Sequence, residues 1–129
     1  MLEKARYINV GGKLIDLDIP KVMGILNITP DSFYRGSRYN SDKEILGAAK
    51  RMLDEGAAIL DVGGYSSRPG AVSVSEEEEG KRVLAALKLI SRELPDALLS
   101  VDTFRSEVAD FIVSKFFWCL ICFWGFKRF

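Results

Sequence analysis

Ile59-Leu60-Asp61-Val62-Gly63-Gly64 is the stretch on which the reading of the fold turns. A short apolar run that enters a glycine pair has the length and boundary of a β-strand. The glycine-containing loop Gly63 to Ser73 follows it, and then Ser75 with Glu78 forms an S-x-x-E capping box. Glu76 to Glu79 place negative charge at the positive end of the helix dipole. Val83, Leu84, Leu87, Ile90 and Leu94 then supply a buried stripe at helical spacing, and Pro95 ends the helix. The same sequence of signals recurs on either side. Downstream, Leu98-Leu99-Ser100-Val101 is a strand, and another helix starts near Ser106. Upstream, Val22 to Leu26 is a strand and Asn27 to Asn40 a polar loop. There the spacing predicts a helix from Ser41, which forms a capping box with Glu44. Ile45, Leu46, Ala49, Met52 and Leu53 lie on one face of it, and Gly56 closes it.

Strand, polar loop and helix in repetition imply parallel strands joined by right-handed crossovers. Before them, Tyr7 to Val10 and Leu14 to Leu17 flank Gly11-Gly12, which supplies the positive φ angles of a tight hairpin. Periodicity does not distinguish an open α/β sheet from a closed barrel. A closed eight-stranded barrel takes roughly 250 residues, so a chain of 129 residues supplies at most part of one.

Eighteen basic and eighteen acidic residues cancel, so no broad electrostatic attraction to nucleic acid or anionic membrane is expected. The first twenty residues hold no apolar run long enough for a signal peptide, and the chain reads as cytoplasmic. Histidine is absent, which removes the commonest general base and the commonest metal ligand. Chemistry must rest on carboxylates, amides, hydroxyls, Arg and Lys. Such residues gather at one kind of place: Asn27 ends the first strand, Asp61 to Gly64 the second, and Asp102 the third. In parallel α/β folds the C-terminal strand ends form the active face. The alternative, that Asp61 and Asp102 merely cap loops or following helices, stays open on the sequence.

Three segments carry a family resemblance. Gly24-Ile25-Leu26-Asn27-Ile28-Thr29-Pro30-Asp31-Ser32-Phe33 resembles the first signature of dihydropteroate synthases, and Asp61-Val62-Gly63-Gly64-Tyr65-Ser66-Ser67-Arg68-Pro69-Gly70-Ala71 resembles the second. Ser100-Val101-Asp102-Thr103 with Glu107-Val108 resembles the region of the third strand. The match covers about Met23 to Asp110, in family order. It implies a partial (β/α)8 barrel of the pterin-binding family, here a leading hairpin and the first three units. It also implies the condensation of p-aminobenzoate with a dihydropterin pyrophosphate, releasing pyrophosphate, with Mg2+ as cofactor.

By the same resemblance Asn27 is the magnesium-associated asparagine, and Asp102 is the carboxylate that recognises the pterin, with Ser67 beside it. Asp31, Ser32 and Phe33 form the first p-aminobenzoate loop. Ser67, Arg68 and Pro69 form the second, in which Arg68 offers paired donors to an anion. Asn27, Arg68 and Asp102 are thus the implied catalytic set. Many relatives have Thr where this chain has Ser67, which keeps the hydroxyl but bears on packing and sulfonamide discrimination. The bland counterparts are a strand-end turn for Asn27, solvated loop charges for Arg68, Arg35 and Arg38, backbone geometry for Gly63-Gly64, and a plain helix start for Glu76 to Glu79.

After Asp110 the composition changes. Eight of fourteen aromatic residues, both Trp and both Cys lie there, and no acidic residue does. The family's later Asn, Asp, Lys and Arg-x-His have no counterpart. Residues 1–110 therefore read as the N-terminal part of a pterin-binding barrel domain, and 111–129 as an aromatic tail from a frameshifted or prematurely ended reading frame. A buried helix or strand is the alternative. A membrane span is disfavoured by Lys115, and Cys119-Leu120-Ile121-Cys122 lacks a second ligand pair for a metal. The tail and an open sheet edge offer routes to homo-oligomers or aggregation. Two other functions stand beside the synthase: a pterin-binding methyltransferase and a non-catalytic remnant.

Overall fold

A computed structural model describes residues 6–28, 38–65, 69–70, 73–116 and 119–123 of the chain. The hairpin forms where the glycines place it. β1 (Tyr7–Val10) pairs antiparallel with β2 (Lys13–Asp16), with Val10 opposite Lys13. Gly11 and Gly12 between them have φ of 58° and 85°, the left-handed pair that matches the right-handed strand twist. Asn9 Oδ1 accepts from the Gly12 backbone N–H at 2.8 Å. Val10 and Ile15 pack on Ile59, with Ile8, Ala58 and Leu98 around them. The hairpin is thereby seated at the N-terminal end of the main sheet.

That sheet holds four strands: β3 (Val22–Asn27), β4 (Ala57–Gly63), β5 (Leu99–Thr103) and β6 (Cys119–Phe123). They pair in parallel and in consecutive order, β3-β4-β5-β6. α1 (Arg38–Asp54), α2 (Glu76–Glu93) and α3 (Ser106–Lys115) connect them. Consecutive order answers what periodicity left open. A doubly wound sheet reverses direction at a switch point and places helices on both faces, whereas a barrel adds each strand on the same side. Here one core takes Leu26, Leu60, Val62, Leu99 and Val101 from the sheet. It takes Ile45 and Ala49 from α1, Val83, Leu87 and Ile90 from α2, and Val108 and Ile112 from α3. All three helices therefore cover one face, and the sheet is an arc of a (β/α) barrel.

One boundary differs from expectation. α1 begins at Arg38, three residues before the Ser41 start that the capping-box spacing predicts. Once a first turn has nucleated, each further residue adds a hydrogen bond at little cost, and local capping chemistry does not fix the start. The box at Ser75 is formed: its Oγ accepts from the Glu78 N–H at 3.1 Å. The compositional change at Asp110 falls inside α3, which runs on to Lys115 with Ile112 fully buried. The chain then enters β6, whose residues pair with β5 from Leu99↔Cys119 to Thr103↔Phe123. No helix among the described residues is long and apolar enough to cross a membrane.

Candidate functional site

Register builds the site. Asn27 pairs with Gly63, Gly63 with Asp102, and Asp102 with Cys122, so these four positions form one row across the C-terminal strand ends. One step down, Ile25, Asp61, Ser100 and Leu120 form the next row on the same face, because residues two apart in a strand share a face. This face is the one the helices do not cover. Ile25 is 64% exposed on it, Asn27 is exposed, and Asp102 is half-buried.

Gly63 leaves a gap that both polar neighbours flank. A Cβ there would stand 3.4 Å from Asn27 Oδ1 and 3.8 Å from Asp102 Cβ. Below it, the Ser100 hydroxyl donates to Asp61 Oδ1 at 2.5 Å, and both residues are buried. Asp61 therefore lies inside the strand as a bonded core carboxylate. Burial, and then the nearby charge of Asp61, push the Asp102 carboxyl above its ordinary value. A half-dry carboxylate beside a second carboxylate is served best by a ligand that donates N–H bonds.

A second polar cluster lies on the helix side. Glu79 is fully buried; its Oε1 accepts from the Thr103 hydroxyl at 2.9 Å and its Oε2 from Arg105 Nη1 at 3.1 Å. Arg105 Nη1 also donates to the Val74 carbonyl at 2.7 Å. The guanidinium stands 4.9 Å from the Tyr65 ring centroid and 5.2 Å from that of Phe104, and the two rings meet edge to face at 5.0 Å. Burial pushes the Glu79 carboxyl up, opposed by the Thr103 hydrogen bond and the Arg105 charge.

The expectation that Glu76 to Glu79 is only a helix start thus holds for three of the four. Glu77 and Glu78 pair on the surface with Lys81 and Arg82, and Glu76 is exposed, but Glu79 is a core residue. The sequence held a signal for this. Glu79 precedes Val83 by four residues and so continues the stripe of Val83, Leu87 and Ile90.

Of the expected site residues, Asn27 and Asp102 come together on one row. Pro69 lies in an exposed turn with Gly70. Asp31, Ser32, Phe33, Ser67 and Arg68 lie outside the described residues. Among those described, no three His, Cys, Asp or Glu side chains gather as a metal site.

Parallel strands in consecutive order, with polar side chains in a row at their C-terminal ends, define a barrel-type β/α protein, a class of fold that carries its sites at the strand tops. A family profile described as pterin binding enzyme matches residues 23–121, and the chain belongs to that family. It is 48% identical to the dihydropteroate synthase of Bacillus subtilis over 107 residues, which are 83% of this chain and 37% of that one. A Xanthomonas albilineans dihydropteroate synthase solved with 4-aminobenzoic acid superposes with a TM-score of 0.74 at 39% identity, over 85% of this chain and 40% of that one. The Burkholderia cenocepacia dihydropteroate synthase complexed with 7,8-dihydropteroate gives 0.68 at 33% identity, over 95% and 39%. The chain therefore spans about two fifths of the length of the relatives it matches.

Proposed function

We propose that this chain carries the pterin-recognising part of a dihydropteroate synthase site. There p-aminobenzoate displaces pyrophosphate from 6-hydroxymethyl-7,8-dihydropterin pyrophosphate to give dihydropteroate in folate biosynthesis, in the cytoplasm. The observation that carries this reading is the row in which Asn27 and Asp102 flank Gly63 at the strand tops. Asp102 accepts hydrogen bonds from the N–H edge of the pterin and holds the ring while the exocyclic methylene faces the arylamine. Positioning of this kind converts a bimolecular step into one within the complex. Asn27 offers an exposed amide oxygen, and a hard oxygen donor suits Mg2+, which keeps several waters and binds phosphates without an all-protein cage. When bound, the ion stabilises charge on the departing pyrophosphate. Ser67, Arg68 and Pro69, with Asp31, Ser32 and Phe33, are proposed to form the p-aminobenzoate pocket.

The chain alone is expected to give no turnover. The inner face is open to solvent at Ile25 and Asn27, and the cation-like carbon requires that water be kept out. The test is a chimera in which this chain's residues from Met23 to Asp110 replace the aligned residues of the Bacillus subtilis relative. The proposal expects dihydropteroate from the chimera, its loss on Asp102→Asn, and none from the 129-residue chain itself. A folded chimera without activity, or turnover by the chain alone, contradicts it.

A further inference from the structure

The Glu79 cluster does work that neither packing nor the reaction above accounts for. A buried ion pair contributes little net stability compared with apolar side chains of the same volume. Its placement is more informative. Thr103 is the last residue of β5 and directly follows Asp102. Successive strand residues point to opposite faces, so Thr103 turns to the helices while Asp102 turns to the inner face. The Thr103 hydroxyl donates to Glu79 at 2.9 Å and accepts from the Arg105 backbone N–H at 3.2 Å. The end of β5, paired with β6 through Thr103, is thus also held on its helix side.

The pin itself is fixed from three directions. Glu79 lies against the residue that follows β4, because a Cβ on Gly64 would come within 3.1 Å of Glu79 O and 3.2 Å of its Cγ. Arg105 reaches the Val74 carbonyl just before α2. Its guanidinium lies over the touching rings of Tyr65, beyond β4, and Phe104, beyond β5. One ion pair therefore ties two strand ends and a helix start together directly behind Asp102.

We propose that Glu79, Arg105 and Thr103 are positioning residues that hold Asp102 in its binding orientation by fixing the end of β5 from the opposite face of the sheet. The proposal rests on the reading of Asp102 as the pterin contact. The residues touch no ligand themselves; they act through the backbone between Val101 and Thr103.

The test uses the 129-residue chain with Glu79→Gln, Thr103→Val and Asp102→Asn. Glu79→Gln keeps the shape and an acceptor for Thr103 but removes the charge facing Arg105. Thr103→Val keeps the shape and removes both hydrogen bonds. Amide hydrogen exchange is read at Asp102 and Thr103 against Leu60 and Val62, and affinity is read with 6-hydroxymethylpterin as the probe. The first two variants are expected to speed exchange at Asp102 and Thr103 about tenfold, leave Leu60 and Val62 unchanged, and weaken pterin binding about tenfold. Unchanged exchange at the strand end overturns the proposal. So does a rise by one factor throughout the sheet, or loss of the fold, since either marks the cluster as a general stabiliser. If Asp102→Asn leaves pterin affinity intact, the reading of Asp102 fails separately, while exchange at Asp102 and Thr103 still decides the positioning role.

Discussion

The two faces of the parallel sheet follow different rules. On the helix side Leu26, Leu60, Val62 and Val101 are essentially inaccessible and pack against apolar side chains of three helices. On the other side the same strands present Asn27, Asp61, Ser100 and Asp102, with Ile25 exposed between them. One face excludes water and holds the apolar core, while the other carries polar groups, of which Asn27 is exposed, Asp102 half-buried, and Asp61 and Ser100 buried and bonded to each other. A strand alternates between the faces at every residue, so adjacent positions in the sequence carry opposite kinds of consequence.

The largest test of this division pairs a residue from each face. Leu60→Ala removes a side chain that is 0% exposed and is expected to cost about 2–5 kcal/mol in urea denaturation. Ile25→Ala, one strand away, should change stability by less than about 0.5 kcal/mol. Equal losses would break the comparison.

The glycine pair sharpens it at single-residue resolution. A Cβ on Gly64 would meet Val83 Cγ2 at 2.9 Å and Glu79 O at 3.1 Å, so Gly64→Ala should destabilise by about 1–3 kcal/mol through overpacking. A Cβ on Gly63 meets nothing nearer than Asn27 Oδ1 at 3.4 Å. Gly63→Ala should therefore leave the thermal midpoint nearly unchanged and act on ligand binding alone. Ser75→Ala removes the cap on Glu78 N–H, and chemical denaturation should show a loss of about 1 kcal/mol.

The smallest expected effect has the opposite sign. Because the Asp102 carboxyl is raised in the folded protein by burial and by Asp61, its ionisation opposes folding. Its favourable contribution is complete below the unfolded carboxylate range and is lost as pH rises through the folded value. Asp102→Asn should therefore raise stability at neutral pH, with the gain fading as the medium becomes acidic. Denaturation midpoints across that range measure it, and a loss of stability at pH 7 contradicts it.

Much of the helix-covered face was legible in the sequence, because apolar spacing is a local signal. The stripe Val83, Leu87, Ile90 and the strands around Leu60 and Val101 all lie where periodicity places them. Asn27 and Asp102 were legible as strand-end residues, yet that they flank Gly63 depends on a register no single segment encodes. The Glu79–Arg105 pair was hidden behind a run of four glutamates whose first three are ordinary helix-start charges. Barrel order was not legible, since strand sequence in space is a property of the assembled sheet. Nor was the continuation of α3 past Asp110, where a change of composition obscured a helical spacing that Val108 and Ile112 keep.

The inner row at the strand tops is proposed as a pterin site organised on Asp102. The direct measurement is a calorimetric or fluorescence titration of this chain and its Asp102→Asn variant with 6-hydroxymethylpterin at neutral pH. Weak, saturable binding to the unmodified chain is expected, lowered at least about tenfold in the variant, as loss of a charge-assisted hydrogen bond requires. Equal affinity in the two proteins, with both folded, would contradict it.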